Sequence, residues 1–538
     1  MALYITLLIV SFAIYMWTDL RKQIHMLQLN SYRNERYFDW MKDQKRVEAS
    51  YLMFGLIISN LALNKMLTPN VYLLMHTTLF LVMRIIHKKH QEKKPLVFTW
   101  RVRRLLLTFT LLCAVMLLGL CYLFRATVTY DITFLVGIVN LFLPAMILLS
   151  NKINQPFEKK IALDFTKDAM ERLSAAPELK IIGITGSYGK TSTKYILNQL
   201  LSVGYQVLMT PESFNTPMGV VRTIREKLNG THQIFIVEMG AKNIGDIKEI
   251  CDIVSPDMGI ISSIGEQHLE TFKTIDNVIE TKYELAEAVG SKKGTMFLNY
   301  NNEYIRRQKL STPVVRYGVA NGTENPLKHY DVWAENLSSG PNGSTFDICQ
   351  PGGKRMAFET RLLGPHNVQN IVAGTAVAMA LGISLEKLAP AVRRLEPVPH
   401  RLHLLKNPGR YQIIDDAFNA NPEGAKAAVE TLGTFKGFRV LVTPGMVELG
   451  EKEESLNREF GGQAAKYCDY IILVGYHRAK PIKEGALKAG FSEENIYIAK
   501  DIYDALKMAD NLANGLKPEE GPMYVLLEND LPDNFLEA

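Results

Sequence analysis

The hydrophobic pattern divides the chain into a strongly apolar first part and a longer remainder in which short apolar runs alternate with amphipathic stretches. Within the first 150 residues, apolar segments follow one another before any soluble pattern begins, and a helix needs about 20 apolar residues to cross a bilayer. Buried core helices of a soluble domain are the alternative interpretation. The pattern predicts a transmembrane region of four or five helices within residues 1–150: Leu3–Trp17, Tyr51–Leu67, Val71–Ile86, Leu105–Phe124 and Ile132–Ser150.

Lys and Arg residues are concentrated in two of the connections between these segments, residues 20–50 and 87–104. The opposite connections hold only Lys65 and Arg125. Because cytoplasmic loops collect Lys and Arg, both basic connections are expected to face the cytoplasm. Five spans would then place everything after Ser150 in the cytoplasm. Contact of the basic stretches with anionic lipid headgroups is an alternative.

Beyond the apolar part, strands and helices alternate in the manner of a parallel α/β sheet. A predicted strand, Leu179–Ile184, leads through a glycine turn into a predicted helix, Thr193–Val203. Glycines there let backbone N–H groups approach phosphate oxygens, while Lys190 would reach the terminal phosphates and Thr191 would hold Mg²⁺. This context predicts a nucleotide-binding loop formed by Gly186, Ser187, Tyr188, Gly189, Lys190, Thr191 and Ser192.

Two later predicted strands lead into residues of types that commonly bind metal ions. Glu238 ends the run 235–238, and His268 follows the run 259–264. The carboxyl ends of parallel strands face the crevice in which open α/β sheets bind ligands. The shared sheet edge with the phosphate loop therefore predicts that Glu238 and His268 are metal ligands.

Composition excludes several other classes. The chain has 538 residues, and 61 Lys+Arg against 55 Asp+Glu give a net charge of +6, too small to indicate a nucleic-acid partner. Five cysteines without a CxxC pair predict neither a disulfide framework nor a zinc ribbon.

The segments TGSYGKTS, VEMGAKNIGDI, IGEQHLETF and TKYEL, followed by GPHNVQN, PHR and DDAFNANP, resemble the motifs of the ATP-dependent Mur ligase family in the same order. The resemblance covers about residues 175–538. It implies a linker over 151–174, a central ATP-binding domain with a parallel sheet over 175–396, and a smaller Rossmann-like α/β C-terminal domain over 397–538. The expected fold class is thus an N-terminal α-helical transmembrane region followed by α/β domains.

The resemblance also implies two Mg²⁺ sites. Thr191 and Glu238 would hold one ion beside Lys190, and His268 would hold the second. Lys282 lies where similar ligases carry a carbamylated lysine, although an ordinary salt bridge to its Glu280 or Glu284 neighbour is the alternative. Two metals would spread the charge of phosphoryl transfer from ATP to a carboxylate.

Further residues match the family's nucleotide crevice. Asn299 corresponds to a residue that contacts adenine, and Arg401 would close onto the phosphates from the last domain. The remaining matched residues are His366, Asn367, Asn370, Asp416 and Asn419.

By this resemblance the chain is expected to be a membrane-anchored, ADP-forming amide ligase of bacterial peptidoglycan precursor synthesis, multi-pass in the cell membrane with cytoplasmic catalytic domains. Its expected partners are a cell-envelope precursor, an amino acid or dipeptide such as D-alanyl-D-alanine, and membrane lipid. A lipid-linked precursor ligase, a poly-γ-glutamate-type synthetase and a nucleotide-driven transport component remain alternatives. The oligomeric state is left open.

The chain departs from the family pattern at three places. About thirty residues separate Ser150 from the ATP-binding strand, too few for an additional α/β domain. The segment GMVELG resembles the family's GDMxELG in a shifted position, and Asn457 stands where a histidine is usual. Glu528 and Asp530 replace a basic terminal segment, which is expected to change how an incoming carboxylate is recognised.

Overall fold

The fold is taken from a computed structural model. Its chain divides into two compact units, Met1–Leu163 and Asp164–Leu531. The structure describes residues 2–43, 68–87, 95–124, 138–139, 141–267, 269–320, 325–405, 410–418, 420–476, 479–517, 519 and 521–530.

The first unit is helical. Its principal core packs Ile24, Leu27 and Tyr37 of the N-terminal segment with Val102 and Ile147. Two helices of the described residues, Leu3–Leu29 and Trp100–Leu120, have the length and apolarity to cross a membrane, although a soluble core helix or a signal sequence has the same properties. The helices are Ala2–Leu29, Asn34–Asp43, Pro69–His87, Trp100–Phe124 and Leu143–Ser174.

The predicted spans are matched unevenly. Val71–Ile86 lies within a helix, whereas Tyr51–Leu67 lies outside the described residues, as does part of Ile132–Ser150. The last helix of this unit does not stop at Ser150, the predicted end of the last span, but continues to Ser174 through the predicted linker. Hydropathy falls after Ser150, but the following Glu, Lys and Ala residues are good helix formers and sustain the helix without an apolar pattern.

The second unit contains a nine-stranded sheet with the strand order β2-β3-β1-β4-β5-β6-β7-β8-β9. The strands from β2 to β7 are parallel, and the chain leaves β1 toward one edge before returning to its other side at β4. Ligands bind at such a reversal point, outside the carboxyl ends of the strands. The strands are β1 Lys180–Thr185, β2 Val207–Met209, β3 Ile234–Glu238, β4 Met258–Ile261, β5 Thr295–Asn299, β6 Val314–Val319, β7 Val332–Gly340, β8 Gly343–Cys349 and β9 Arg355–Thr360.

The predicted parallel sheet also has an antiparallel edge. β8 runs antiparallel to both β7 and β9. The β7–β8 turn is Pro341-Asn342, closed by Gly343 with φ 117°, and the β8–β9 turn contains Gly352 and Gly353 at positive φ. Such short turns join antiparallel strands only, since parallel strands need long crossovers.

A second sheet has the order β10-β11-β15-β12-β13-β14 and is parallel except for β10. The two sheets lie on either side of the predicted domain boundary at residue 396. The strands are β10 His403–Leu405, β11 Tyr411–Asp416, β12 Phe438–Thr443, β13 Tyr470–Val474, β14 Ile496–Ala499 and β15 Met523–Glu528.

Helices cover these sheets and bury their apolar faces. Ile184 and Ile236 pack with Ile196 and Val372 on one side of the first sheet, whereas Val237 packs in a separate core on the other. The helices are Lys190–Leu201, Pro217–Lys227, Asp246–Val254, Leu269–Phe272, Ile275–Ser291, Glu303–Arg306, Pro365–Ala380, Leu385–Arg393, Pro422–Leu432, Glu453–Tyr467, Ala479–Lys488 and Ile502–Gly515, with 3₁₀ turns at Pro326–Lys328, Gly450–Lys452 and Glu493–Asn495.

Candidate nucleotide and metal site

The predicted nucleotide-binding loop connects β1 to the helix Lys190–Leu201. Gly189 caps that helix with φ 78°, and a Cβ on Gly186 would lie 2.2 Å from Ser262 Oγ. Lys190 folds over the loop, with Nζ 2.6 Å from the Gly186 carbonyl oxygen. Burial lowers the pKa of Lys190 to about 8, against the opposing field of Glu238. The arrangement places a helix N-terminus and an ammonium group where they can bind phosphate.

The segment after β4 fastens this loop. Ser187 N donates to the Ser263 carbonyl oxygen at 2.7 Å, and Tyr188 N donates to Ser263 Oγ at 3.0 Å. Tyr188 OH donates to the Glu266 carbonyl oxygen at 2.9 Å, while its ring packs against Gly265. Tyr188 therefore ties the loop to the segment that leads toward position 268.

Glu238 ends β3 beside the loop and is 1% exposed. Its Oε1 accepts from Thr191 Oγ1 and from Asn215 Nδ2, both at 3.1 Å. Its Oε2 lies 2.9 Å from Lys194 Nζ but accepts no hydrogen bond from the described residues. The Glu238 carboxylate, with Oε1 beside the Thr191 hydroxyl, supplies the oxygen ligands that suit a hard cation such as Mg²⁺. Among the residues described, no group of three or more His, Cys, Asp or Glu is placed to hold a metal ion.

Lys282 is 3% exposed on the helix Ile275–Ser291. Burial lowers its pKa well below the ordinary value, and Lys190 lowers it further. The predicted alternative, a salt bridge to Glu284, is not formed: Glu284 instead accepts from the backbone N–H groups of Gly245 and Lys248 at 2.6 and 2.7 Å. A lowered pKa makes it easier for Lys282 to lose its proton, and the neutral amine is the form of lysine that reacts with carbon dioxide.

Arg401 comes from the segment before the second sheet. Burial lowers its pKa, opposed by Asp416 and Glu238, and the guanidinium lies 4.6 Å from the Phe418 ring centroid. Burial raises the pKa of Asp416 to about 7, although Arg401 favours its charged form. The positive charge of Arg401 lowers the pKa of both Lys190 and His366, so Arg401 lies close enough to the phosphate loop to act on its lysine.

The remaining predicted crevice residues have specific partners. Asn370 accepts from Thr193 Oγ1 at 3.0 Å and lies beside Gly189. Asn367 Nδ2 donates to the Leu363 carbonyl oxygen at 2.9 Å, which commits that amide to holding the helix start. Burial lowers the pKa of His366 to about 4, so the ring is neutral at pH 7, and its buried Nδ1 has no hydrogen-bond partner among the described residues.

Asn299, predicted to contact adenine, uses its amide within the protein. Its Nδ2 donates to the Ser262 carbonyl oxygen at 2.7 Å, and its Oδ1 accepts from Gln369 Nε2 at 2.8 Å. Gln369 joins Asn299 to the helix that also carries Asn370, so this amide network borders the phosphate loop. His268 and Asn419 lie outside the described residues.

The carboxyl edge of the second sheet collects polar groups from three strands. Glu528 is 1% exposed and accepts from Thr443 Oγ1 at 2.5 Å, and it stands opposite Asp416 in the β11–β15 register. Burial raises the pKa of Glu528 to about 8. Asn457 pins the GMVELG segment by accepting from Met446 N at 2.9 Å and donating to the Met446 carbonyl oxygen at 3.0 Å.

Lys194, Asn215 and Gln369 were missed by the sequence analysis although they contact predicted site residues. For Lys194 a signal was available, because it lies one helical turn after Lys190 and therefore on the same helix face. Asn215 and Gln369 carry no comparable pattern, since only the tertiary fold brings them to Glu238 and Asn299.

Residues 184–378 match the family described as Mur ligase middle domain, and residues 400–517 match the Mur ligase glutamate ligase domain. The UDP-N-acetylmuramoyl-tripeptide–D-alanyl-D-alanine ligase of Bacillus subtilis is 31% identical over 383 residues, covering 69% of this chain and 80% of the relative. The Haemophilus influenzae enzyme of the same name is 30% identical over 301 residues, covering 55% of this chain and 62% of the relative.

A solved structure agrees with these matches. The crystal structure of MurF from Acinetobacter baumannii is similar with a TM-score of 0.61 and 27% identity, covering 70% of this chain and 78% of that one. The fold is thus that of an ATP-dependent ligase. The chain belongs to the Mur ligase family, whose members are ATP-dependent, ADP-forming ligases.

Proposed function

We propose that the protein is a ligase of peptidoglycan precursor synthesis that joins D-alanyl-D-alanine to a UDP-N-acetylmuramoyl-tripeptide at the expense of ATP. The observation that carries this proposal is the contact of Thr191 with Glu238 beside Lys190. This contact lies at the reversal point of the first sheet, within the region that matches the Mur ligase middle domain. The substrate names come from the relatives, which carry out this step according to their names.

The chemistry needs an activated carboxylate, because a free carboxylate is a poor acyl donor. ATP would convert it to an acyl phosphate, which the amine attacks with loss of phosphate. Lys190 and Arg401 would stabilise the negative charge on the transferring phosphoryl group and on the tetrahedral state. Thr191 and Glu238 would hold one Mg²⁺, and His268 with carbamylated Lys282 a second, to offset phosphate charge.

Purified full-length protein should release phosphate from ATP only when an amine and a carboxylate substrate are both present. Release that needs neither would contradict the proposal and indicate a nucleotide-driven motor. The comparisons favour neither that transport alternative nor the poly-γ-glutamate-type synthetase. Mass spectrometry of products from nucleotide-linked and lipid-linked precursors separates the proposed acceptor from the lipid-linked alternative.

We also propose that the N-terminal helices attach the enzyme to the cytoplasmic face of the bacterial cell membrane. The support is an outward apolar stripe on the helix Trp100–Phe124, where Leu107, Leu111, Val115 and Leu118 are each 59–71% exposed at helical spacing. Only 17% of the apolar window of that helix is buried. Such a stripe is suited to lipid, which solvates apolar side chains.

Truncation before Asp164, where the second compact unit begins, tests the attachment. The truncated protein should bind MgADP, because the nucleotide site lies within residues 175–538, but should leave the membrane fraction. If the natural acceptor is lipid-linked, truncation should also lower its use in nanodiscs, since attachment raises the effective concentration. Truncated protein that still sediments with membranes, or full-length protein that does not, would contradict membrane attachment.

A further inference from the structure

One buried lysine that the proposed chemistry does not use lies near the start of the helix that follows the nucleotide-binding loop. Lys194 is on the helix Lys190–Leu201, one turn after Lys190, and its side chain is completely buried. Its ammonium donates to the Glu212 backbone carbonyl oxygen and lies 2.9 Å from Glu238 Oε2. Glu212 lies three residues before Asn215, so Lys194 contacts both the Glu238 carboxylate and the loop whose Asn215 donates to that carboxylate.

The Glu238 carboxylate is held from both of its oxygens. Thr191 and Asn215 donate to Oε1, whereas the Lys194 ammonium faces Oε2. These contacts leave the carboxylate little rotational freedom, and they orient Oε1 toward the threonine hydroxyl of the phosphate loop. Glu238 itself is 1% exposed, so solvent contributes almost nothing to its orientation.

Stability alone explains this buried pair poorly. An isolated ion pair in a protein interior is often no more stabilising than apolar side chains of the same volume. The helix also has apolar neighbours at buried positions, Ile196 and Leu197, which show that this layer accommodates aliphatic side chains. A lysine at this position is better explained by the orientation that it imposes on the Glu238 carboxylate.

We propose that Lys194 is a positioning residue for the cation of the nucleotide complex: its buried ammonium fixes the Glu238 carboxylate in the orientation that binds Mg²⁺ together with Thr191. The inference rests on the proposed function, because it requires that the loop binds Mg²⁺ with a nucleotide. Groups that orient a metal ligand from behind are typically worth 10- to 100-fold in metal affinity.

The test compares ADP binding to full-length protein by calorimetry, once with excess Mg²⁺ and once with EDTA. The dissociation constant in EDTA divided by the dissociation constant in Mg²⁺ measures how far Mg²⁺ strengthens nucleotide binding. Lys194→Met should lower this ratio 10- to 100-fold while changing the dissociation constant in EDTA less than threefold. Lys194→Arg, which keeps the charge, should retain the ratio within threefold if the buried site admits it.

Two further variants make the result decisive. Lys248→Met removes an exposed lysine paired with Asp252 and should leave the ratio unchanged. Lys194→Gln keeps length and polarity without the charge, and it carries the test if Lys194→Met does not fold. A ratio that stays within threefold, or rises, in the neutral Lys194 variants overturns the positioning role alone. Wild-type protein that binds no ADP in Mg²⁺ overturns this inference and the proposed function together.

Discussion

The buried carboxyl group of Glu528 should make the stability of the second sheet depend on pH. Glu528 ends the central strand β15, where Thr443 Oγ1 donates to it at 2.5 Å. Burial and, to a smaller extent, the charge of Asp416 raise its pKa from 4.5 to about 8, against the opposing effect of the Thr443 hydrogen bond. The group is therefore protonated in the folded protein at pH 7, whereas it is ionised in the unfolded chain.

The sign and size of the effect follow from this difference. A raised carboxyl pKa leaves stability intact below the unfolded value near pH 4.5 and removes it progressively as pH rises through about 8. At about 1.4 kcal/mol for each tenfold change in acidity, the full loss approaches about 5 kcal/mol. Glu528→Gln removes that loss and retains an oxygen that accepts from Thr443. We expect the variant to be more stable than wild type by about 2–5 kcal/mol at pH 9, and by less than about 1 kcal/mol at pH 5.

Urea unfolding of the full-length protein in detergent, followed at both pH values, measures the difference. Glu359→Gln, at an exposed position on β9, is the matched control and should show no pH-dependent gain. Equal stability of Glu528→Gln and wild type at pH 9, or a less stable variant, would show that the carboxyl group is not buried as described.

Four further substitutions test the nucleotide site. Lys190→Ala and Glu238→Ala should each lower ligation at least 100-fold, because each removes charge beside the transferring phosphoryl group; near-normal turnover in steady-state kinetics would refute the loop assignment. Lys282→Ala should be nearly inactive and regain activity with added short carboxylic acids, whereas full activity without them would exclude a carbamate. Gly186→Ala should weaken ADP binding at least tenfold in calorimetry, because the new Cβ would lie 2.2 Å from a serine hydroxyl at φ +147°, while Gly230→Ala has open space and should bind normally.

Local patterns predicted the phosphate loop well. A strand, a glycine turn and a helix start are neighbours in sequence, so the backbone around Gly186 and Gly189 could be inferred before the fold was seen. Glu238 was predicted for a related reason: a buried apolar run that ends in a carboxylate places it at the sheet edge. Its contact with Thr191 confirms that the two sequence segments meet.

Contacts that depend on tertiary packing could not be predicted in the same way. Lys194 is buried because Glu238 of the sheet and the segment around Glu212 pack against it. Both are far from Lys194 in sequence, so no local pattern predicts this burial. Asn299 was expected to face adenine, yet its amide is engaged by Gln369 from a helix seventy residues away. The antiparallel edge did have a local signal, because the short Pro341-Asn342 turn is typical of a β-hairpin. The regular alternation of strands and helices before it favoured a parallel sheet instead.

The proposed reaction joins D-alanyl-D-alanine to a nucleotide-linked tripeptide through an amide bond. The most direct measurement incubates full-length protein with Mg²⁺, ATP, UDP-N-acetylmuramoyl-tripeptide and D-alanyl-D-alanine, then determines ADP and product by mass spectrometry. We expect equimolar ADP and amide product, and we expect neither when a substrate is omitted or when Lys190→Ala replaces the wild-type protein. ADP formed at the same rate without the dipeptide, or no amide product when all components are present, would contradict it.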